Sequence, residues 1–198
     1  MQEKQRFTNG DIVTPYSLQN KDLLVDRGSI VDIIDREKPT SDDWKIIDVN
    51  NNYIFPGMID VLQHGFLNHL YIDVDKDCIA NNSKNLPAFG VTGYLPSTSC
   101  LPPNRTAKIL TALSEECDLS KNGSRVLGIH SEGPCFALPG AHNPKNLLKP
   151  SVKLAEELID GAKGKLKAVT LAPEMDGSEQ FIKKMKKEGI SVHLGHSG

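Results

Sequence analysis

The fold class can be inferred from the segment Val126-Leu127-Gly128-Ile129-His130-Ser131-Glu132-Gly133-Pro134. Its first residues form an apolar run typical of a short buried strand, and the final Gly-Pro can extend neither a strand ladder nor a helix. Glu132 is therefore predicted at the C-terminal end of a strand, facing outward. A second run, Ile190-Ser191-Val192-His193-Leu194, ends in the same way in Gly195-His196-Ser197. The sequence thus predicts two metal-capable side chains, Glu132 and His196, at matching ends of two strands.

After Pro56 the chain alternates between strand patterns and helix patterns. Strands are predicted over residues 53–62, 91–96, 126–131, 166–171 and 190–194. Helices are predicted from three apolar stripes, which comprise Ile109, Leu110, Leu113 and Cys117, then Val152, Leu154, Ala155, Leu158 and Ile159, then Phe181, Ile182 and Met185. Asn104 is predicted to cap the first helix and Gly189 to follow the last.

This alternation indicates an α/β fold built from parallel βα units. A (β/α)8 barrel would place every strand-end residue on its catalytic face. About five strands are predicted, which cannot close such a barrel, so the fold is expected to be an incomplete barrel with an open edge at the strand before His196. Residues 1–55 differ, because short strands such as the pair around Asp26-Arg27-Gly28 predict a small all-β unit.

Composition and charge exclude several classes of protein. The 198 residues carry 23 Lys and Arg against 25 Asp and Glu, a net charge of -2, so no nucleic acid or anionic membrane is expected as a partner. The polar N-terminus does not resemble a signal peptide, and no apolar run approaches the roughly 18 residues of a membrane span. The four cysteines contain no C-x-x-C pair, which predicts reduced thiols and a cytoplasmic protein.

A carboxylate and an imidazole at neighbouring strand ends suit a divalent metal such as zinc or iron. Against this interpretation, a single Glu after a strand is most often a solvated or capping carboxylate. Two protein ligands are also fewer than the roughly three that are usual for catalytic zinc. His130 is interpreted as a hydrogen-bonded core residue, and His193 as structural.

Five motifs resemble, in the same order, those of the N-acetylglucosamine-6-phosphate deacetylase family of the amidohydrolase superfamily, and the resemblance covers nearly the whole chain. They are Phe55-Pro56-Gly57-Met58-Ile59-Asp60, His130-Ser131-Glu132-Gly133-Pro134, Gly140-Ala141-His142-Asn143-Pro144, Thr170-Leu171-Ala172-Pro173-Glu174 and Leu194-Gly195-His196-Ser197. The Pro-Gly-x-Ile-Asp motif is specific only to the superfamily. The His-x-Glu-Gly-Pro motif with the downstream Gly-Ala-His is much more specific.

The resemblance implies hydrolysis of N-acetylglucosamine 6-phosphate to glucosamine 6-phosphate and acetate. One divalent metal ion is expected as the cofactor, with zinc as the first choice and iron or another divalent ion as the alternative. Glu132 and His196 match metal ligands, and His142 matches a histidine that contacts the sugar. His64 is expected to bind substrate as well, with contact to the metal as the alternative. A third metal-binding histidine and the catalytic aspartate are expected beyond Gly198, so no catalytic residue is assigned.

The domain organisation implied by the resemblance is a TIM-like barrel beside a β-sandwich. Residues 1–55 would form the N-terminal part of the β-sandwich, and residues 56–198 the first part of the barrel. Full-length relatives are expected to be homodimers, and this shorter form is expected to be inactive alone.

Two departures from the family pattern keep other hypotheses open. Leu62 stands where many relatives carry the first histidine of a His-x-His pair, so a second metal site is not expected. The segment 135–139 is short and lacks the lysines common there, which leaves the exact substrate open. One alternative is an amidohydrolase acting on a cyclic amide or amine. Another, of a different class, is a non-catalytic fragment or pseudoenzyme.

Overall fold

The computed structural model describes residues 3–73, 77–118 and 122–198. The chain divides into two compact units, Met1–Pro56 and Gly57–Gly198, called here the N-terminal unit and the C-terminal unit. None of the helices in the described part of the chain combines the length and apolarity that a membrane crossing needs.

The N-terminal unit consists of short strands in two small sheets. Its strands are β1 (Gln5–Thr8), β2 (Asp11–Val13), β3 (Leu18–Gln19), β4 (Asp22–Asp26), β5 (Ser29–Ile34), β6 (Lys45–Asp48) and β7 (Tyr53–Ile54). One sheet has the order β5-β4-β1-β6 and the other the order β3-β2-β7. The predicted strand pair around Asp26-Arg27-Gly28 is confirmed, since β4 and β5 pair in antiparallel fashion on either side of that turn.

The C-terminal unit alternates strands with helices. Its strands are β8 (Met58–Gln63), β9 (Gly65–Phe66), β10 (His69–Leu70), β11 (Val91–Thr98), β12 (Arg125–Val126), β13 (Ile129–Glu132), β14 (Leu166–Leu171) and β15 (Ser191–Leu194). Its α-helices are α1 (Cys78–Asn85), α2 (Pro103–Cys117), α3 (Val152–Gly161) and α4 (Ser178–Lys187). Short 3-10 turns cover Tyr71–Asp73, Leu86–Phe89 and Pro144–Asn146.

The main sheet of this unit is parallel throughout and curls into half a barrel. β11 pairs with β8 on one side and with β12 and then β13 on the other, followed by β14 and β15. Because β12 and β13 follow one another along β11, the sheet has five strand positions. The prediction of an incomplete (β/α)8 barrel with about five strands is confirmed. The carboxyl ends of its parallel strands share one edge of the sheet.

Two predicted strands are each divided in the structure. The prediction of one strand over 53–62 is wrong, since β7 pairs with β2 in the N-terminal unit while β8 pairs with β11. Pro56 lies between them and has no N–H with which to continue a ladder. The prediction of one strand over 126–131 is also wrong, because Gly128 adopts a φ of 142° between β12 and β13. Glycine adopts this positive φ without steric cost, and the backbone there leaves the extended conformation that a strand ladder needs.

The start of α2 differs from the prediction that Asn104 caps it. Pro102 is the N-cap residue, with a non-helical ψ of 140° and no side-chain hydrogen bond, and Pro103 is the first helical residue. Proline suits that position because its φ is already helical and its missing N–H would have no partner there. Asn104 therefore lies inside the first turn. At the other end of the unit, Gly189 follows α4 as predicted.

The hydrophobic core of the C-terminal unit lies between the sheet and its helices. Ile129, Val169 and Leu171 are buried in this core together with the apolar faces of α2, α3 and α4. Successive residues of a strand point to opposite faces of the sheet. His130 and Thr170 therefore lie on the inner face, where His130 Nε2 is 2.8 Å from Thr170 Oγ1.

All four cysteines are thiols, as predicted, and three of them are buried. Burial raises the pKa of the thiols of Cys100, Cys117 and Cys135 from near 9 to about 12. Since the thiolate is the reactive form, its population at pH 8 falls roughly a thousandfold for a shift of this size.

We therefore predict that a disulfide exchange reagent such as DTNB labels the folded chain at least about 100-fold more slowly than the urea-unfolded chain at pH 8. The comparison of the two labelling rates measures this directly. Equal rates would mean that these thiols are accessible in the folded protein.

Candidate metal centre

Glu132 is the last residue of β13, and its side chain lies at the centre of a cluster of histidines. The prediction that it faces outward is wrong, because the residue is only 8% exposed. His64 Nε2 and His142 Nε2 each lie 3.2 Å from Glu132 Oε2. His196 Nε2 lies 3.7 Å from Glu132 Oε1. The structure thus brings together all four site residues predicted from the sequence.

Each histidine reaches Glu132 from a different strand end. His64 directly follows β8, and its Nδ1 is 3.4 Å from Ser99 Oγ. His142 lies in the connection between β13 and α3, where its N–H donates to Pro139 O at 3.0 Å. His196 follows β15 with a φ of 57°. The parallel sheet gathers these residues because its strands end at one edge.

Hydrogen bonds on the far side of the rings distinguish His196 from His142. His196 Nδ1 is 3.0 Å from Leu138 O. A carbonyl oxygen can only accept, so Nδ1 carries the proton and Nε2 directs a lone pair towards Glu132. In His142 the proton is on the other nitrogen, because the N–H of Cys100 donates to Nδ1 at 3.5 Å and Nδ1 must therefore accept. The neutral His142 ring therefore has its proton on Nε2, the nitrogen nearest Glu132.

The electrostatics of the cluster keep Glu132 ionised. Burial would raise the pKa of Glu132, but the hydrogen bond from His64 and the electrostatic attraction of the three neighbouring imidazoles lower it below its usual value. The same hydrogen bond raises the pKa of His64. Burial lowers the pKa of His142, and the attraction of Glu132 does not reverse that shift. A negative carboxylate among imidazoles is an environment suited to a cation.

The donor atoms also have spacings that fit a metal ion. Glu132, His142 and His196 each offer one ligand atom, and these atoms all lie within 4.8 Å of one another. Ligands about 2.0–2.2 Å from a tetrahedral zinc ion are roughly 3.4 Å apart. The 3.7 Å separation between Glu132 Oε1 and His196 Nε2 is close to that value. His142 Nε2 lies 3.2 Å from Glu132 Oε2, but it would have to lose its proton before it could be a third ligand. The prediction that a Glu/His cluster could hold a metal is confirmed, without indicating which metal.

The remaining residues considered from the sequence lie outside this group. His130 is fully buried, as predicted, with Nδ1 2.6 Å from Val61 O. The ring of His193 packs edge-on against that of His130, with the centroids 5.0 Å apart. Glu174 is exposed and accepts a hydrogen bond from the N–H of Gly198 at 2.7 Å.

Sequence reasoning missed the residues that support the histidine rings. Phe136 and Leu138 contact His196, while Ser99 and Cys100 contact His64 and His142. The one available signal was the apolar character of Phe136 and Leu138, which stand in a connection otherwise rich in Gly and Pro. Large apolar residues in such a segment indicate that it packs against other parts of the folded chain.

Comparison with known proteins identifies the family. No family model matches the chain. It is 32% identical to N-acetylglucosamine-6-phosphate deacetylase of Danio rerio, over 97% of this chain and 49% of the relative. This chain belongs to the N-acetylglucosamine-6-phosphate deacetylase family. It spans about half the length of the curated relatives it matches.

Two further likenesses extend this result. The crystal structure of N-acetylglucosamine-6-phosphate deacetylase from Pasteurella multocida superposes with a TM-score of 0.85 and 27% identity, over 98% of this chain and 51% of that one. N-acetylgalactosamine-6-phosphate deacetylase of Escherichia coli O157:H7 is 31% identical over 72% of this chain and 38% of its own length. The relatives named for N-acetylglucosamine 6-phosphate and for N-acetylgalactosamine 6-phosphate have similar sequence identity to this chain. Sequence identity alone therefore does not distinguish between these two substrates.

Proposed function

We propose that this chain carries the metal-binding part of an N-acetylglucosamine-6-phosphate deacetylase. The reaction is hydrolysis of the acetamide of N-acetylglucosamine 6-phosphate, which yields glucosamine 6-phosphate and acetate. The observation that carries the proposal is the convergence of Glu132 and His196 at the carboxyl ends of parallel strands, in a chain of this family. One divalent ion is proposed, zinc in the first place and iron as the alternative.

Each residue of the cluster has a role in this proposal. The carboxylate of Glu132 and the Nε2 lone pair of His196 hold the metal. His142 has its Nε2 proton directed into the same space, so it donates a hydrogen bond to an oxygen of the substrate. His64 is 42% exposed at its side chain and lines the open side of the site, where it contacts substrate. A bound divalent ion supplies activation of water and polarisation of the acetamide carbonyl.

The proposal includes the organisation of the whole protein. Residues 1–55 belong to a β-sandwich domain and residues 56–198 to the barrel, with a homodimer as the assembly of the full-length form. The partner is a small amino-sugar phosphate, with no nucleic acid and no membrane. The thiol state of the cysteines agrees with a cytoplasmic location, where disulfides are rare.

We predict that the 198-residue chain alone binds about one zinc ion but releases little or no acetate from N-acetylglucosamine 6-phosphate. The proton on the leaving amine requires a positioned general acid, and the proposal assigns none to the described residues. Acetate should be quantified enzymatically together with bound metal in the same preparation. Rapid metal-dependent acetate release would contradict the predicted inactivity.

A chimera tests the activity itself. The part of the Danio rerio relative that lies beyond its match to this chain would be fused after Gly198. We expect acetate release that depends on added metal and disappears in the Glu132→Gln chimera. Turnover of dihydrouracil but not of the sugar phosphate would favour the cyclic-amide alternative. A folded chimera with neither activity nor bound metal would favour the non-catalytic alternative.

A further inference from the structure

The short segment Phe136–Gly140, called here the 136–140 loop, surrounds His196 on the side away from Glu132. The ring of Phe136 stacks on the imidazole of His196, with centroids 4.0 Å apart and planes 12° apart. Phe136 is only 1% exposed, so its own orientation is held by packing. Parallel stacking at this distance restricts rotation of the His196 ring.

Three hydrogen bonds join the same loop to His196. The N–H groups of Ala137 and Leu138 donate to His196 O at 3.1 Å and 2.9 Å. Leu138 O accepts from His196 Nδ1 at 3.0 Å. His196 has a φ of 57°, a left-handed conformation that is uncommon for residues other than glycine. A residue persists there only when its surroundings hold it, and these bonds hold both its backbone and its ring.

Gly140 leaves room for the His196 ring because it has no side chain. A Cβ at this position would lie 2.9 Å from His196 Cε1 and 3.2 Å from Nδ1. Gly140 itself has a φ of 56°. The imidazole therefore occupies space that any other residue at 140 would take.

We propose that the 136–140 loop is a positioning device for His196. Its residues Phe136, Leu138 and Gly140 fix the plane of the ring and keep the proton on Nδ1, so that the Nε2 lone pair points towards Glu132. The inference rests on the proposed function, in which His196 is a metal ligand. Hydrogen bonds behind a ligating histidine commonly set its tautomer and raise metal affinity. Here a single five-residue segment provides the hydrogen bonds, the stacked ring and the space.

The first test compares two Gly→Ala variants of the 198-residue chain by zinc titration. Gly140→Ala should weaken zinc binding at least about tenfold, because the new Cβ displaces the His196 ring. Gly164→Ala is the matched control, since Gly164 has a φ of 79° but nothing within 4 Å of the added Cβ. It should lose stability from the same backbone strain yet bind zinc within about twofold of the original chain. Equal zinc affinity in both variants would overturn the inference.

A second pair of variants isolates the stacked ring. Phe136→Leu removes the aromatic face but keeps an apolar side chain, and should weaken zinc binding about fivefold. Phe181→Leu is the control, because Phe181 is equally buried but lies in the core on α4. Thermal unfolding of both variants shows whether stability changes alike. Equal weakening of zinc binding in the two variants would mean that Phe136 acts only through general stability.

A third measurement separates this inference from the proposed function. Nitrogen-15 NMR of the metal-free chain reports which nitrogen of His196 carries the proton. We expect the Nδ1–H form in the original chain and in Gly164→Ala, and a mixture of tautomers in Gly140→Ala. If the original chain binds no zinc but shows this pattern, the proposed function fails and the positioning role stands. If the chain binds zinc while Gly140→Ala changes neither tautomer nor affinity, the positioning role fails alone.

Discussion

Replacing Glu132 by Gln should reduce the affinity of the 198-residue chain for zinc at least about 100-fold. Glu132 is the carboxylate in the group of three residues that the structure brings into ligand spacing. An amide has the same shape but no charge, so it neither attracts the cation nor binds it well through oxygen. Competition with a chromophoric chelator gives the zinc dissociation constants of both chains.

The control for this prediction is Glu174→Gln. Glu174 also follows a strand of the sheet, but it is exposed and outside the histidine cluster. This variant should bind zinc as the original chain does. Retention of zinc by Glu132→Gln, within about threefold of the original affinity, would remove Glu132 from the ligand set. Unfolding curves of the metal-free proteins are needed as well, because the substitution also removes the partner of His64.

The second large effect is expected in the N-terminal unit, where Asp22→Asn should lower the free energy of unfolding by about 3 kcal/mol. Asp22 is fully buried, and its Oδ2 accepts from Arg6 Nε at 2.7 Å. Arg36 Nε lies 3.8 Å from Asp22 Oδ1, too far for a hydrogen bond. The neutral amide would therefore leave Arg6 without its buried carboxylate partner, while Arg36 would keep, among the described carboxylates, only Asp11, whose Oδ1 lies 4.0 Å from its guanidinium.

Urea unfolding monitored by Trp44 fluorescence measures this effect. Trp44 is the single tryptophan of the chain and lies within the N-terminal unit, so its signal reports on that unit. Asp35→Asn is the control, because Asp35 is 72% exposed in its ion pair with Lys21. Surface changes of this kind alter stability by about 0.5 kcal/mol or less. A similar small change for Asp22→Asn would show that the buried charges rearrange or admit water.

Local patterns were sufficient to predict most of the elements of the barrel. The strand predicted over 166–171 has those bounds in the structure, and the last helix ends just before Gly189 as expected. Hydrophobic periodicity and Gly or Pro boundaries are properties of neighbouring residues, which is why they can be read without the fold. Two strand predictions, over 53–62 and over 126–131, failed because a single residue interrupts the strand in each, Pro56 in the first and Gly128 in the second.

The candidate site was predictable in its residues but not in their arrangement. The position of Glu132 and His196 at strand ends followed from the sequence pattern, and His64 and His142 from the resemblance to the family. Burial of Glu132 did not follow, because it depends on connections that fold back over the strand end. The role of Phe136 did not follow either, since its stacking partner lies 60 residues further along the chain, at His196.

Patterns among neighbouring residues were enough to predict the order and type of most elements of the barrel, and to place a carboxylate and an imidazole at the ends of parallel strands. Which nitrogen carries the proton in His196 and in His142 depends on contacts that form only in the folded chain. Leu138 and His196 are 58 residues apart, and Cys100 and His142 are 42 apart. Proton placement on an imidazole depends on the partner of its other nitrogen, and those partners meet only when the sheet brings its strand ends together.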